Sequence, residues 1–141
     1  MGGSVCFCSP RLGRALPAGV AVCPGAESGR WDLCAMSPEG AARIWGRELH
    51  CRTLLVPEGI YHPMWQTAQV VSYGLGRRSS LTLSSMGGCG VLCVQRALRD
   101  RRGQTVEEQE LPLLEKWNGF APQDKLLLAG IWLLWGGLPE I

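Results

Sequence analysis

Residues 122–139 read PQDKLLLAGIWLLWGGLP. Pro122 suits the first position of a helix, where a missing N–H costs nothing. Gln123, Asp124 and Lys125 lead in, and from Leu126 to Trp135 every position is apolar except the neutral Gly130. Gly136, Gly137 and Pro139 then stop the run, so the pattern predicts a helix over 122–135. A helix that is apolar all round belongs either in a protein core or in lipid. Leu126 to Leu138 would cover about 20 Å of helix, against a hydrocarbon layer of about 30 Å. A full span would drag Asp124 and Lys125 inward, whereas Trp132 and Trp135 suit an interface. Two destinations follow. One is a buried core helix, and the other is a membrane surface contacted by Leu126, Leu127, Leu128, Ile131, Trp132, Leu133, Leu134 and Trp135.

Upstream, Ser37-Pro38-Glu39 has the form of a capped helix start, and Ala41, Ile44, Trp45 and Leu49 recur at helical spacing. A helix is expected near 38–52. Thr53–Val56 is a short apolar run stopped by Pro57-Glu58-Gly59, a turn signal. Over 68–84, Val71, Tyr73 and Leu75 alternate, as do Leu81 and Leu83 beyond Gly76-Arg77-Arg78-Ser79, which predicts a β-hairpin. Val91, Val94 and Leu98, ended by Gly103, predict another helix near 90–102, with Arg96, Arg99, Arg101 and Arg102 crowding its C-terminal end. Thr105 and Glu108 make a capping-box pattern that Pro112 cuts short.

The first 36 residues are rich in Gly, Pro and Cys. Pro10, Pro17 and Pro24 break any long helix, and Ala15–Ala26 lacks the leucine run and cleavage site of a signal peptide. The segment is expected to be disordered. Residues 37–141 are then a weakly organised region, and the fold class expected is a small, mainly α or α+β chain, loosely packed behind a largely disordered N-terminal third.

Composition supports that picture. Leucine supplies 20 residues but phenylalanine 2, and glycine and proline number 19 and 9. Arginine outnumbers lysine 12 to 2, and Asn118 is the single asparagine. Residues with GC-rich codons dominate, a profile that nucleotide composition alone produces. The expectation is a young or orphan reading frame with a non-enzymatic product and no identifiable biochemical function. A net charge of +2 gives no strong field for nucleic acid. Seven cysteines at irregular spacing fit a reduced, cytoplasmic setting better than a disulfide framework.

No motif supplies chemistry. Gly88-Cys89-Gly90 offers a G-x-G step before a helix-like stretch, but Cys93 stands at the third small position and no second strand leads to Glu107 and Glu108. Cys34, His50, Cys51 and His62 lack the paired spacing of a zinc site. Neither histidine lies in a context that would activate a cysteine nucleophile. Carboxylates at Glu107, Glu108 and Glu110 read as a solvated start of a helix. Asp100 and those acids offset the arginines of 96–102. Arg77-Arg78-Ser79-Ser80 has the form of a basophilic-kinase site. No catalytic, cofactor, metal or small-molecule site is expected, and the partner is unknown.

The N-terminus Met1-Gly2-Gly3-Ser4-Val5-Cys6-Phe7-Cys8 adds one modification candidate. It resembles dual-acylated termini: Gly2 would take myristate, and Cys6 and Cys8 would take the second lipid that stable anchoring needs. The alternative expectation is therefore a small membrane-associated protein held by 126–138, by an acylated N-terminus, or by both.

Overall fold

The computed structural model describes residues 3–22, 30–84 and 90–139. Ten strands and two α-helices form in the order β1 (Gly3–Phe7), β2 (Val20–Val22), β3 (Arg30–Met36), α1 (Pro38–Arg43), β4 (Leu49–Pro57), β5 (Trp65–Tyr73), β6 (Leu81–Ser84), β7 (Val91–Val94), β8 (Leu98–Arg99), β9 (Thr105–Val106), β10 (Gln109–Pro112) and α2 (Pro122–Trp135). Eight strands make one mixed sheet in the order β10-β7-β6-β5-β4-β3-β1-β2, and β8 pairs with β9 apart from it. Strands β1 to β6 run parallel, and β7 pairs antiparallel with both β6 and β10, so β7 is the one reversed strand of this sheet.

This corrects the expected fold class. The chain is a mixed β-sheet protein with a tight core, and its N-terminal third is ordered over 3–22 and 30–36. Val5-Cys6-Phe7-Cys8 is a short continuous apolar run, the signature of a strand buried on both faces. It lies between β2 and β3, with Val5, Cys6 and Cys8 fully buried. Pro10 and Pro17 do not oppose this, because they fall outside the strands: Pro10 opens a short 3-10 helix, Pro10–Ala15, and Pro17 lies beyond it, while Pro24 lies outside the described residues.

Three further expectations change. The helix near 38–52 shrinks to α1, because Gly46 turns the chain at φ +83° and Leu49 starts a strand paired with β5. The stretch 90–102 forms β7 and β8 instead of a helix. Leu92 and Val94 are buried while Val91 and Cys93 are half-buried, so the period is two, and Val91/Val94/Leu98 had matched a helical stripe by coincidence. Residues 68–84 do carry two strands, but they pair parallel, Tyr73 against Leu81. The antiparallel partner of β6 is β7. Alternation fixes which residues share a face, yet it is silent on the sense of pairing. Here the loop 74–80 returns the chain before it pairs, clasped by Ser72 and Ser80: the Ser80 amide donates to the Ser72 hydroxyl at 3.0 Å and the Ser72 amide to the Ser80 hydroxyl at 3.4 Å.

Helix α2 covers one face of the sheet. Leu126, Leu127, Leu128, Ile131 and Leu134 are fully buried with Leu33, Leu55, Val71 and Leu81. Gly130 sits where a Cβ would come within 2.9 Å of a Leu55 methyl, so its absence lets helix and sheet approach. The indole N–H of Trp132 donates to the Ala15 carbonyl at 2.6 Å, and the Arg101 guanidinium lies 3.9 Å over the Trp135 ring while donating to the Trp135 carbonyl. Burying one leucine contributes about 1.5–3 kcal/mol, so this layer holds most of the core.

Helix α1 covers the other face. The Ser37 hydroxyl accepts from the Gly40 amide at 3.0 Å, the cap that the sequence announces. Gly40 presses so close to β1 that a Cβ there would lie 1.9 Å from the Phe7 carbonyl oxygen. Beneath α1 lie Val5, Phe7, Cys34, Met36, Leu54 and Val56.

The three central strands change face together. Trp31 and Leu33 would share a side in an ideal strand, yet Trp31 packs under the α1 face and Leu33 under α2. The same inversion separates Cys51 from Leu55 and Trp65 from Val71. Register is kept across it: Trp31 faces Cys51 and Leu33 faces Thr53, while Cys51 faces Thr67 and Thr53 faces Gln69. Asp32, Arg52 and Ala68 thus form one line of irregularity across β3, β4 and β5, which bends the strands as bulges do. The bend helps the short return between β4 and β5. A straight nine-residue strand spans about 26 Å, and the return from Pro57 to Trp65 would reach about 28 Å only if fully extended. That return contains two turns, Ile60 amide to Pro57 carbonyl and Trp65 amide to His62 carbonyl.

Candidate functional site

The face under α1 is covered over β1, β3 and β4 and open over β5. Val70 projects there and is 49% exposed, whereas its neighbour Val71 on the α2 face is buried. The short β4–β5 return lies beside it, and that return is rich in aromatic residues. Trp45, at 54% exposure, meets His62 edge-on with ring centroids 4.7 Å apart and Trp65 at 5.4 Å. Tyr61 packs edge-on against Trp65 at 6.4 Å, and its hydroxyl donates to the Trp65 carbonyl at 2.6 Å. Tyr61 and Val70 also line a shallow pocket of about 400 Å³ with Val56, Pro57 and Ile60, and Glu58 is part of the same lining. Met64, beside Trp65 in sequence, is 43% exposed.

Trp45 and Tyr61 thus pack against a fully buried Trp65, and Tyr61 continues the apolar surface to Val70. Large exposed apolar side chains scattered singly are ordinary, but a contiguous group marks an interaction surface. Trp, Tyr and Met are the residues enriched where proteins meet. The Trp65 indole N–H is buried there without an acceptor, a cost of about 1–3 kcal/mol that the packing of the ring has to offset.

A second region lies along the bent strands. A groove of about 830 Å³ is lined by Arg30, Trp31, Asp32, His50, Cys51, Arg52, Gln66, Thr67 and Ala68. Arg52 reaches Asp32 at 4.0 Å and donates to the Arg101 carbonyl at 3.4 Å, and His50 pairs with Glu48 at 2.7 Å. Cys34 and Cys51 lie near enough for each thiol to act on the ionisation of the other. Burial pushes the Cys34 thiol far up, and the neighbouring Cys51 adds to that. Cys51 goes down instead, chiefly through the Cys34 thiol beside it, against an opposing effect of burial. Thr67 contributes less. Its one hydroxyl proton has carbonyl acceptors at Arg52 and Gln69, 3.1 and 3.0 Å away, and so serves the sulfur only part of the time. A neighbouring groove of about 650 Å³ continues past Arg52 to Arg99 and Asp100. There the Gln69 side chain clamps the Arg99 backbone, donating to its carbonyl at 2.9 Å and accepting from its amide at 2.8 Å.

The residues singled out from the sequence fall elsewhere. Leu126, Leu127, Leu128, Ile131, Leu133 and Leu134 are buried in the core, with Trp132 and Trp135 half-buried against Ala15 and Arg101. Cys6 is on β1 and Cys8 just past its end, both fully buried, and Gly2 lies outside the described residues, as does Cys89 of the glycine step. Ser79 and Ser80 are buried, so the hydroxyls of the kinase-like string face the interior. The arginines of 96–102 do not form a stripe: Arg99 is held through its backbone and Arg101 stacks on Trp135. Of the four candidate metal ligands, Cys34 and Cys51 meet, His50 turns to Glu48 and His62 joins the aromatic group. Among the described residues no set of three or more His, Cys, Asp or Glu is placed to hold a metal ion. No helix among them is long and apolar enough to cross a membrane.

Sequence reasoning missed the aromatic surface and the thiol contact. The run Ile60-Tyr61-His62-Pro63-Met64-Trp65 between two strands was a usable signal for the first, since a loop seldom carries so much apolar surface without a reason. The thiol contact had none, because residues 34 and 51 meet only through the shared bend. Comparison with family models, with curated proteins and with solved structures finds no match.

Proposed function

We propose that the protein is a non-enzymatic interaction module that takes an apolar segment of a partner protein on the open side of β5. The exposure of Trp45 and Tyr61 on one buried tryptophan, continued by Val70 in the pocket beside Tyr61, is the observation that carries this reading. The anchors on the partner would be apolar side chains entering the pocket between Tyr61 and Val70. A basic residue beside them would meet Glu58, the one carboxylate lining that pocket. Aromatic anchors in a desolvated centre dominate the energetics of such contacts. Fixing the ring of Trp45 against His62 and Trp65 before binding lowers the entropy lost on association.

Selection of displayed random peptides on the purified chain tests the proposal. Peptides with two or more apolar anchors and a flanking Lys or Arg are expected to be enriched. Their binding should fall at least about tenfold, or about 1.4 kcal/mol, in Val70→Lys and in Tyr61→Ser. It should persist in Leu75→Ser, which removes an exposed leucine outside the pocket. Equal binding to Val70→Lys, or no enrichment at all, would sink the proposal. Sedimentation with anionic vesicles that is lost in Val70→Lys would replace the protein partner by a membrane surface.

A further inference from the structure

Neighbouring parallel strands are ordinarily joined by a crossover helix, and the sheets they form are covered on both faces. Two parallel steps of this sheet lack that helix. The chain passes from β4 to β5 through residues 58–64 and from β5 to β6 through residues 74–80, and neither return holds an α-helix. Helix α2 packs on β3 to β6 from one face, and α1 packs on β1, β3 and β4 from the other. The α1 side of β5, β6, β7 and β10 is left without a helix among the described residues. Which side chains stand there follows from the pairing. Leu81, Leu83, Leu92, Val94 and Leu111 belong to the α2 core. Alternation turns Thr82, Cys93 and Glu110 the other way, and these three are partners across β6, β7 and β10. Burial and then Glu110 raise the Cys93 thiol, in keeping with that neighbourhood. Val70 and Glu110 are exposed, and Thr82, Val91 and Cys93 are half-buried. Glu110 is the one charged residue on these four strands, and Glu58 lies beside Val70 at the opposite margin.

We propose that an amphipathic helix of the partner, basic along its borders, lies across this side of β5, β6 and β7 and supplies the helix that the two returns lack. This rests on the docking reading above and names the segment that docks. An extended segment cannot join the sheet here, because β5, β6 and β7 are internal strands already paired on both sides. A helix needs no main-chain partner. It brings apolar side chains at i, i+3, i+4 and i+7 onto Val70, Thr82, Val91 and Cys93. Its diameter of about 10–12 Å matches two to three strands spaced about 4.8 Å apart. Lys or Arg on its two borders meets Glu58 on one side and Glu110 on the other, so charge fixes which face of the helix turns down.

Fluorescence anisotropy with three labelled peptides of about 18 residues, about 27 Å of helix, tests the proposal on the reduced full-length chain. The first carries Leu at i, i+3, i+4 and i+7 with Lys and Ala elsewhere. The second has the same residues scrambled so that no stripe forms, and the third has Glu in place of each Lys. The first is expected to bind at least about tenfold tighter than either of the others. Thr82→Lys and Glu110→Lys, both outside the pocket of Tyr61 and Val70, should weaken it several-fold. Melting profiles show which variants are folded, and the exposed Glu110 keeps the test open if Thr82→Lys unfolds. Equal binding of the striped and scrambled peptides, lost in Val70→Lys, overturns the helix and leaves the docking surface standing. Binding of the striped peptide that is unchanged in folded Thr82→Lys or Glu110→Lys also overturns it. So does a dimer of the chain alone that dissociates in Thr82→Lys, since a second copy would then hold this face. No binding by any of the three overturns it too, and the displayed-peptide selection decides the docking surface separately.

Discussion

The two faces of the sheet are built from the same strands and end differently. Helix α2 has 14 residues and α1 has 6, about 21 Å and about 9 Å of rod. The long helix lies across β3, β4, β5 and β6 and leaves its face dry. The short one reaches β1, β3 and β4 and stops, so β5 keeps an open side. Val70 and Val71, adjacent on β5, carry the whole contrast: one is half in solvent and the other is buried. Buried and open face in this protein differ in the length of the covering helix more than in residue type.

The contrast can be broken at its strongest point first. Leu55, fully buried under α2 against Gly130, should lose about 2–5 kcal/mol of stability as Leu55→Ala, read from the urea midpoint. A loss under about 1 kcal/mol would mean that α2 is not seated on β4. Next comes the adjacent pair. Val71→Ser should cost about 2–4 kcal/mol, from lost burial and an unsatisfied hydroxyl. Val70→Ser should stay within about 0.5–1 kcal/mol. Similar losses at the two positions would contradict the open face.

Arg101→Ala sharpens the seating of the helix end. It removes the cation over the Trp135 ring and the hydrogen bond to the Trp135 carbonyl, so a loss of about 1 kcal/mol is expected in thermal melts.

The smallest effect is kinetic. The neighbouring Cys34 thiol lowers the pKa of Cys51, so its thiolate persists to lower pH than that of an ordinary thiol. Alkylation of Cys51 should rise with pH and level off early, while that of Cys93, shifted upward, should still be rising. As pH falls through the Cys51 midpoint its sulfur protonates and the rate drops. Cys34→Ala should move that midpoint up. A Cys51 profile no lower than that of Cys93 would remove the Cys34 thiol from the account.

Part of the site was legible and part was not. Ser37-Pro38-Glu39 marked the start of α1, because a cap is a matter of neighbouring residues. Its length was not legible: Ala41, Ile44, Trp45 and Leu49 keep helical spacing past the point where Leu49 leaves to pair with β5. The aromatic run 60–65 was visible as composition, but its exposure depended on the absence of a helix over β5. The contact of Cys34 with Cys51 required three strands to bend in register.

By itself the sequence determined local matters. It set an apolar run from Leu126 to Trp135 bounded by Pro122 and Gly136, a capped turn at Ser37, and alternation in 68–84, each a property of residues within a few positions of one another. The tertiary structure decided the rest. It placed the leucines in a core, with their surface spent on the sheet, and made Val5-Cys6-Phe7 part of a strand buried between β2 and β3. It paired β5 and β6 parallel and left Trp45, Tyr61, Met64 and Val70 exposed. These outcomes depend on which distant segments share a face, and that free energy exists only once the chain has closed on itself.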